Sequence, residues 1–413
     1  MEKQLGKSNK RSYTKQEMKN IDFKTLSLAI LLMGPSINYY INTVLQYGLG
    51  LSTISAYTYV FMAVVGAYSY RYLKQIDRAG FIIFTLLIIG LPMAALLVGF
   101  NMVISPDFNP LDSPLLLVFL YCFPLYILTS TINDFGKAFD YLYYFAIFNI
   151  VLFVPSYYYS QLSLSALRVD YMSISYNVLI AICVCLGVSW NKKKWTPAII
   201  AIASILLLIV VGSRGASFSV LIYIVLLLVT KLIGGERKKV FIISAIVVVA
   251  ILALGSYYYN EVTSLIDSGE MYSRNLSKLG DSSFFSHDDR DEIKTVIERG
   301  IDSNPFGYGL LGDRIIMQNE HYEGVYAHNI LLELRADFGI LIGPTIFILL
   351  LVKMFVSFRR LTGYRKDFLL MLIPAGFIKL LFSGSFLIEP AFYCLLALVF
   401  CKENGKKIKM LRN

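Results

Sequence analysis

Residues 326–339 have the sequence Tyr-Ala-His-Asn-Ile-Leu-Leu-Glu-Leu-Arg-Ala-Asp-Phe-Gly. They close a long polar segment and run directly into an apolar stretch, which predicts a helix that begins at a membrane surface. This places His328 at or near a helix N-terminus, where the positive end of the helix dipole disfavours imidazolium. A neutral imidazole accepts a proton near pH 7, so His328 is the candidate base.

The composition predicts a polytopic membrane protein. Of 413 residues, 56% are hydrophobic and only 16% are charged, which is too apolar for a water-soluble domain. The net charge of +10 therefore indicates membrane topology rather than nucleic-acid binding. All five cysteines fall in apolar segments, so we expect neither a disulfide framework nor a cysteine-ligated metal.

Apolar runs long enough to cross a bilayer, about 17–25 residues each, recur along the chain. The fold class that they predict is an all-α transmembrane bundle of about twelve helices with a large, partly helical extracytoplasmic loop. The predicted transmembrane helices lie near 23–45, 51–70, 79–100, 113–132, 139–159, 171–190, 196–212, 216–233, 240–259, 330–356, 368–383 and 385–401.

The distribution of lysine and arginine orients this bundle. With a cytoplasmic N-terminus, most of the 38 Lys and Arg residues fall in cytoplasmic segments, as the positive-inside rule requires. Both termini should then be cytoplasmic. The predicted divisions are a cytoplasmic tail at 1–22, transmembrane helices one to nine at 23–259, an extracytoplasmic loop at 260–329, helices ten to twelve at 330–401 and a cytoplasmic tail at 402–413.

The extracytoplasmic loop contains one amphipathic pattern. Ile293, Val296 and Ile297 recur at helical intervals after Arg290, which predicts a short helix lying on the membrane. Asn-Pro-Phe-Gly-Tyr-Gly at 304–309 is turn chemistry that ends this helix. Arg290 either pairs with the acidic residues around it or contacts a ligand. The same acidic residues are a weak candidate for a divalent-metal site, because their spacing matches no known ligand loop.

A second motif, Gly-Ser-Arg-Gly-Ala at 212–216, lies where two predicted helices meet at the outer face. Arg214 has two interpretations. It either extends to the lipid headgroups, as arginines at membrane edges do, or holds a phosphate with two donors. The flanking glycines favour the second interpretation, because they let the backbone approach a ligand closely.

Further polar residues lie in or beside predicted transmembrane helices. Lys379 and Glu389 either pair with each other or line a substrate cavity, because charges inside a membrane are costly when isolated. Tyr176 and Asn177 either contact substrate or bond a neighbouring helix. Arg335 follows the histidine on roughly the same helix face and is a further candidate for the cavity lining.

Four motifs in this order resemble the O-antigen polymerase/ligase superfamily: Gly-Ser-Arg-Gly-Ala, Arg290 in a loop helix, Asn-Pro-Phe-Gly-Tyr-Gly, and Ala-His-Asn-Ile-Leu-Leu-Glu-Leu. The resemblance is specific over roughly 212–345 and architectural elsewhere. It implies a C-type membrane glycosyltransferase that uses undecaprenyl-pyrophosphate-linked sugars without a metal or other cofactor. By this resemblance Arg214 and Arg290 bind the donor pyrophosphate, and His328 activates the acceptor hydroxyl for an inverting displacement.

The main functional hypothesis is a polymerase that assembles O-antigen or capsular polysaccharide on the outer face of the bacterial plasma membrane. Two alternatives stay open: a ligase that moves finished glycan to another acceptor, and a flippase for lipid-linked oligosaccharides. The absence of a visible internal repeat counts against the flippase. The expected partners are the lipid-linked glycan donor and acceptor, membrane lipid, and chain-length regulator and flippase proteins, whereas no nucleic acid is expected.

Overall fold

The structure is a computed structural model, and it describes residues 22–51, 55–86, 118–162, 171–211, 213–233, 289–322 and 326–401. Every regular element in these ranges is helical, which confirms the predicted all-α class for this part of the chain. The predicted span at 240–259, the loop before residue 289 and almost all of both tails lie outside the described residues.

The helices of the first half are α1 (Phe23–Thr43), α2 (Ser55–Ser69), α3 (Phe123–Thr131), α4 (Phe135–Leu162), α5 (Tyr171–Lys192), α6 (Trp195–Val211) and α7 (Arg214–Ile233). The helices of the second half are α8 (Asp289–Ser303), α9 (Gly312–Asn319), α10 (Ile330–Arg360), α11 (Gly363–Leu372) and α12 (Pro390–Phe400). Residues 78–86 are also helical. Short π-helical turns occur at Val44–Gly48, Val118–Cys122 and Ile373–Ile378. Short 3₁₀ turns occur at Tyr70–Gln75 and Lys379–Leu381.

Four described helices are long and apolar enough to cross a membrane: Phe23–Gly48, Phe135–Tyr159, Met172–Lys192 and Ile330–Arg360. Shorter apolar helices occur at Val118–Thr131, Trp195–Ile209, Gly215–Thr230 and Pro390–Phe400. All of these coincide with predicted spans. The membrane character of the chain is therefore supported, whereas the predicted number of about twelve spans is not confirmed.

Helix α1 packs against both α4 and α5 in the bundle. Asp22 caps it, because its side chain accepts hydrogen bonds from two backbone amides of the first turn. The Tyr40 hydroxyl donates to the carbonyl of Ile174 at 2.6 Å, and the Ser156 hydroxyl donates to the carbonyl of Tyr40 at 3.1 Å. Hydrogen bonds of this kind hold helices together where lipid supplies no hydrophobic driving force between them.

The predicted span at 330–356 is not one straight helix. Gly339 has φ 82° and ψ 175°, a backbone conformation essentially restricted to glycine, and it breaks α10. We call residues 330–338 the first arm and residues 340–360 the second arm. The arms pack closely where they meet, since a Cβ at Gly343 would lie 2.5 Å from the carbonyl oxygen of Leu334.

The last two predicted spans also differ from the structure. Helix α11 begins at Gly363, which is earlier than the start of the predicted span at 368–383. After α11, the turns at Ile373–Ile378 and Lys379–Leu381 extend the helical backbone to Leu381. Helix α12 begins only at Pro390, later than the predicted 385–401. Proline at the first helical position lacks only an amide that has no partner within the helix, which explains why α12 begins there.

The predicted helix of the extracytoplasmic loop is present as α8, but its apolar face does not lie on a membrane. That prediction is wrong, because the face is buried in a small second core with α9 and the first arm. The buried side chains of this core are Val296, Ile297, Ile301, Ile316, Met317, Ala327, Leu332 and Ala336. We call residues 289–322 and 326–338 together the cap.

A polar contact also joins the two helices of the cap at its surface. The Tyr322 hydroxyl, just after α9, donates a hydrogen bond to the Glu292 carboxylate on α8. This bond to a carboxylate raises the pKa of Tyr322, so its phenol stays protonated.

Candidate active site

The break in α10 is stabilised by the turn at 304–309. Broken helices leave backbone groups without helical partners. Here the carbonyl of Pro305 accepts from the Ile340 amide at 2.9 Å, and the carbonyl of Asp337 accepts from the Gly309 amide at 2.9 Å. A Cβ at Gly307 would lie 2.5 Å from that same Asp337 oxygen, so glycine is required for this approach. The turn therefore fixes the cap to the start of the second arm.

His328 lies directly before the N-cap of α10. The N-cap residue is Asn329, whose side-chain oxygen accepts hydrogen bonds from the amides of Leu331 at 2.9 Å and Leu332 at 3.2 Å. The sequence therefore predicted the helix terminus at His328 correctly. His328 has φ 52°, in the left-handed region that non-glycine residues seldom adopt. Strained backbone of this kind concentrates at functional sites.

Three side chains of the cap position the segment around His328. The ring centroids of Tyr326 and His328 are 3.9 Å apart. The guanidinium carbon of Arg314 lies 5.6 Å from the centroid of the Tyr326 ring. Buried Asp313 accepts a hydrogen bond from the Ala327 amide at 2.9 Å, which ties the segment to α9. The imidazole thus packs against Tyr326, and the segment that carries it is tied to α9 just before His328.

Beneath this segment lies an acidic cluster formed by Asp313, Glu333 and Asp337, all of which are buried. The Nη1 atom of Arg314 lies 3.7 Å from an oxygen of Asp313 and 4.0 Å from an oxygen of Glu333. The amide of Gly312 donates to Asp337 at 2.8 Å. Such partners reduce the large cost of removing carboxylates from water.

The acidic cluster also connects the cap to the last two membrane helices. Glu333 accepts hydrogen bonds from the Ser385 hydroxyl and from the Phe386 amide, the latter at 3.1 Å. Both residues belong to the connection between α11 and α12. Within the described ranges, no group of His, Cys, Asp and Glu side chains has the arrangement of a metal site.

A second cluster contains three of the sequence-predicted residues: Tyr176, Lys379 and Glu389. The Lys379 ammonium forms an ion pair with the Glu389 carboxylate and lies 5.4 Å from the centroid of the Tyr176 ring. Gly215 is packed against this cluster, since a Cβ there would lie 2.0 Å from the Tyr176 hydroxyl oxygen. We call these four residues the α7 cluster, because Gly215 lies in the first turn of α7.

The turn at Lys379–Leu381 carries Lys379 of the α7 cluster and also contacts the cap. The Asn329 amide group donates to the carbonyl of Leu381 at 3.2 Å, so the residue after His328 is bonded to this turn. On the other side, a Cβ at Gly215 would lie 2.9 Å from the Cβ of Phe382. Gly215 in the first turn of α7 and Asn329 beside His328 therefore contact the same short stretch of chain, Leu381 and Phe382.

Other sequence-predicted residues are placed differently. Asn177 accepts a hydrogen bond from the Ser36 hydroxyl of α1 at 3.2 Å, a contact between helices. Arg335 is half-buried on the first arm, and the described contacts do not connect it to His328. Arg214 and Arg290 lie in the first turns of α7 and α8, but their side chains are outside the described part of the structure.

Comparison with known families identifies this region. Residues 199–347 match the family described as O-antigen ligase. The predicted resemblance to the O-antigen polymerase/ligase superfamily is confirmed. No curated protein matches the sequence. The matched range of this superfamily begins in α6 and ends in the second arm of α10, so it includes all four motifs that carried the prediction.

Within the superfamily match, the sequence analysis missed four residues of the site: Asp313, Arg314, Glu333 and Asp337. One signal was present in the sequence, because Glu333 and Asp337 are four residues apart in an apolar stretch and so share a helix face. Asp313 and Arg314 gave no such signal. They occupy a short polar helix that only the fold brings under His328.

Proposed function

We propose that this protein is a polysaccharide polymerase that joins undecaprenyl-pyrophosphate-linked repeat units at the outer face of the bacterial plasma membrane. One observation carries the proposal. Asn329, the residue after His328, bonds to Leu381, and Gly215 at the start of α7, which bears Arg214, packs against the next residue, Phe382. A proton acceptor can activate the acceptor hydroxyl, and a cation-bearing helix N-terminus can stabilise the pyrophosphate leaving group.

In the proposed reaction the acceptor hydroxyl oxygen bonds to the anomeric carbon of the donor sugar. The bond from that carbon to the pyrophosphate oxygen breaks, and undecaprenyl pyrophosphate leaves with the electron pair. The proton of the acceptor hydroxyl passes to His328. A direct displacement of this kind inverts the anomeric configuration.

The α7 cluster supports the donor side of this proposal. The N-terminus of a helix attracts anions because its first amides lack partners within the helix. Arg214 opens α7, and Gly215 lets the Tyr176 hydroxyl pack closely against that terminus. The Lys379 ammonium also lies near this terminus, where its ion pair with Glu389 neutralises it. In our proposal Arg214 and Arg290 bind the pyrophosphate, and the Lys379–Glu389 pair lies beside the donor site.

The lipid anchor of the donor fits this arrangement physically. The polyprenyl chain can stay in the bilayer among the apolar helices, while the pyrophosphate meets the charged residues at the membrane surface. The sugars then extend under the cap toward His328. Catalysis here consists of orienting the two substrates and stabilising the leaving group.

A ligase is the second candidate, because the matched family is described as O-antigen ligase. A ligase would use the same donor site and the same base. It would differ in the acceptor, which would be another molecule rather than a lipid-linked repeat unit.

The test uses purified protein in nanodiscs with a lipid-linked repeat unit, in the presence of a metal chelator. A ladder of lengthening glycans is the result expected of a metal-independent polymerase. Transfer only to an added second acceptor would establish the ligase. Movement of intact lipid-linked units across vesicle membranes, without any new glycosidic bond, would contradict both the polymerase and the ligase hypotheses and favour the flippase.

A further inference from the structure

Phe306 is the most exposed of the large hydrophobic side chains described, with 92% of its surface accessible. It occupies the tip of the turn at 304–309, in the segment that joins α8 to α9. A phenylalanine on a water-exposed turn would face a solvent that it avoids. Its environment therefore needs an explanation.

Hydrogen bonds fix the backbone of this turn and keep the Phe306 side chain exposed. The Asn304 side-chain amide donates to the carbonyl of Gly307 at 2.8 Å, and the Gly307 amide donates back to the carbonyl of Asn304 at 3.1 Å. Gly307 and Gly339 are also in close backbone contact. Phe306 is thus presented outward by a rigid turn.

The surface beside Phe306 is the exposed apolar side of a membrane-capable helix. The hydrogen bond from the Ile340 amide to the carbonyl of Pro305 places the turn at the first residue of the second arm. There Leu341 is 79% exposed and Ile342 is 59% exposed. The apolar surface continues along the second arm, through Ile348, Leu349, Leu351, Val352, Phe355 and Val356.

We propose that Phe306 inserts into the lipid leaflet on the cap's side of the membrane and, with Leu341 and Ile342, anchors the cap there. Lipid is the occupant that fits, because the patch is continuous with the exposed side of a helix long enough to cross the bilayer. The apolar face of α8 is buried in the cap and is not available as an anchor. The turn at 304–309 takes that role instead and sets the depth of His328.

The experiment measures the depth of residue 306 directly. The chain has two tryptophans, Trp190 and Trp195, which are replaced by phenylalanine so that Phe306→Trp becomes the sole tryptophan. Nanodiscs of phosphatidylcholine with and without brominated acyl chains give the quenching. The expected result is blue-shifted emission that is strongly quenched by the bromines.

Two reference positions calibrate the result in the same background. Leu341→Trp should be quenched about as strongly as the tryptophan at 306. Asp302→Trp, on the exposed polar side of α8, should emit at longer wavelength and be quenched by aqueous iodide instead. These substitutions replace exposed side chains, so the fold should tolerate them.

Two outcomes would overturn the proposal. Emission from position 306 that responds to iodide and not to bromine would place the side chain in water. Blue-shifted emission that responds to neither quencher would show that protein covers it. If the tryptophan replacements impair folding, Phe306→Cys with an environment-sensitive thiol dye gives the same comparison, because all five native cysteines are buried.

Discussion

The two arms of α10 are consecutive in sequence and opposite in environment. The first arm, residues 330–338, carries Glu333 and Asp337 and is largely buried in the cap. The second arm, residues 340–360, exposes most of its large apolar side chains. Together they average to one strongly apolar segment, and so hydropathy predicts one span. The comparison shows that a single glycine can divide a span into a part that builds a site and a part that faces lipid.

The division is stable because the broken helix finds new partners. The carbonyls of Ala336 and Asp337 accept from the amides of Tyr308 and Gly309, and the Ile340 amide donates to Pro305. These bonds take the place of helical hydrogen bonds at the break. The kink thus has an identifiable cause, as sharp bends in helices generally do.

The largest effect is expected at His328, directly before the first arm. His328→Ala should reduce glycan synthesis about 100- to 10,000-fold, the usual range for loss of a general base. His321→Ala is the matched control, because His321 also has positive φ, lies in the cap and is exposed. The measurement is the initial rate of polymer formation in nanodiscs, with protein amount and folding checked for each variant. Equal rates for the two variants would remove His328 from the mechanism.

The buried carboxyl group of Glu333 in the first arm gives the next largest effect. Glu333→Ala should lower the free energy of unfolding by about 3–5 kcal/mol, because Arg314 and the Phe386 amide lose a buried partner. Leu341→Ala in the second arm should change it by less than about 0.5 kcal/mol. Chemical denaturation in detergent micelles measures both. Similar losses would contradict the contrast between the arms.

The glycine between the arms has an intermediate effect. Gly339→Ala should destabilise the protein by about 2–3 kcal/mol, because it combines backbone strain with a Cβ only 2.4 Å from the carbonyl oxygen of Pro305. Gly363→Ala is the matched control. Gly363 also has positive φ, but a Cβ there meets nothing within 4 Å, so we expect about 1 kcal/mol from strain alone. If both variants lose the same stability, the contact with the turn at 304–309 contributes nothing.

The N-cap residue of the first arm, Asn329, gives the smallest effect. Asn329→Ala should cost about 1 kcal/mol of stability, because two amides of α10 lose the side-chain acceptor. Thr362→Ala is a suitable control, since Thr362 precedes α11 without a capping hydrogen bond from its side chain. Differential unfolding in the same micelles compares them. A greater loss for Thr362→Ala would contradict the assigned role of Asn329.

The sequence predicted some elements well, and the reasons are local. His328 was placed correctly at a helix terminus because Asn329 and the apolar run after it are a recognisable helix start. The pairing of Lys379 with Glu389 was one of two alternatives, because isolated charges in membrane helices are costly. The helical spacing of Ile293, Val296 and Ile297 alone predicted α8 within the loop. It could not say whether lipid or protein covers the apolar face of that helix, since both are apolar.

The amino-acid sequence by itself determined the helical, membrane-type character of the described part of the chain and the superfamily that the chain resembles, because hydropathy and short motifs are properties of consecutive residues. The tertiary structure alone decided which residues surround His328. Asp313 and Arg314 contact its neighbours Ala327 and Tyr326 from a different helix, and the turn at 304–309 supplies hydrogen bonds to the break in α10 at Gly339. Contacts between segments distant in sequence depend on how the whole chain packs, and no local pattern specifies them.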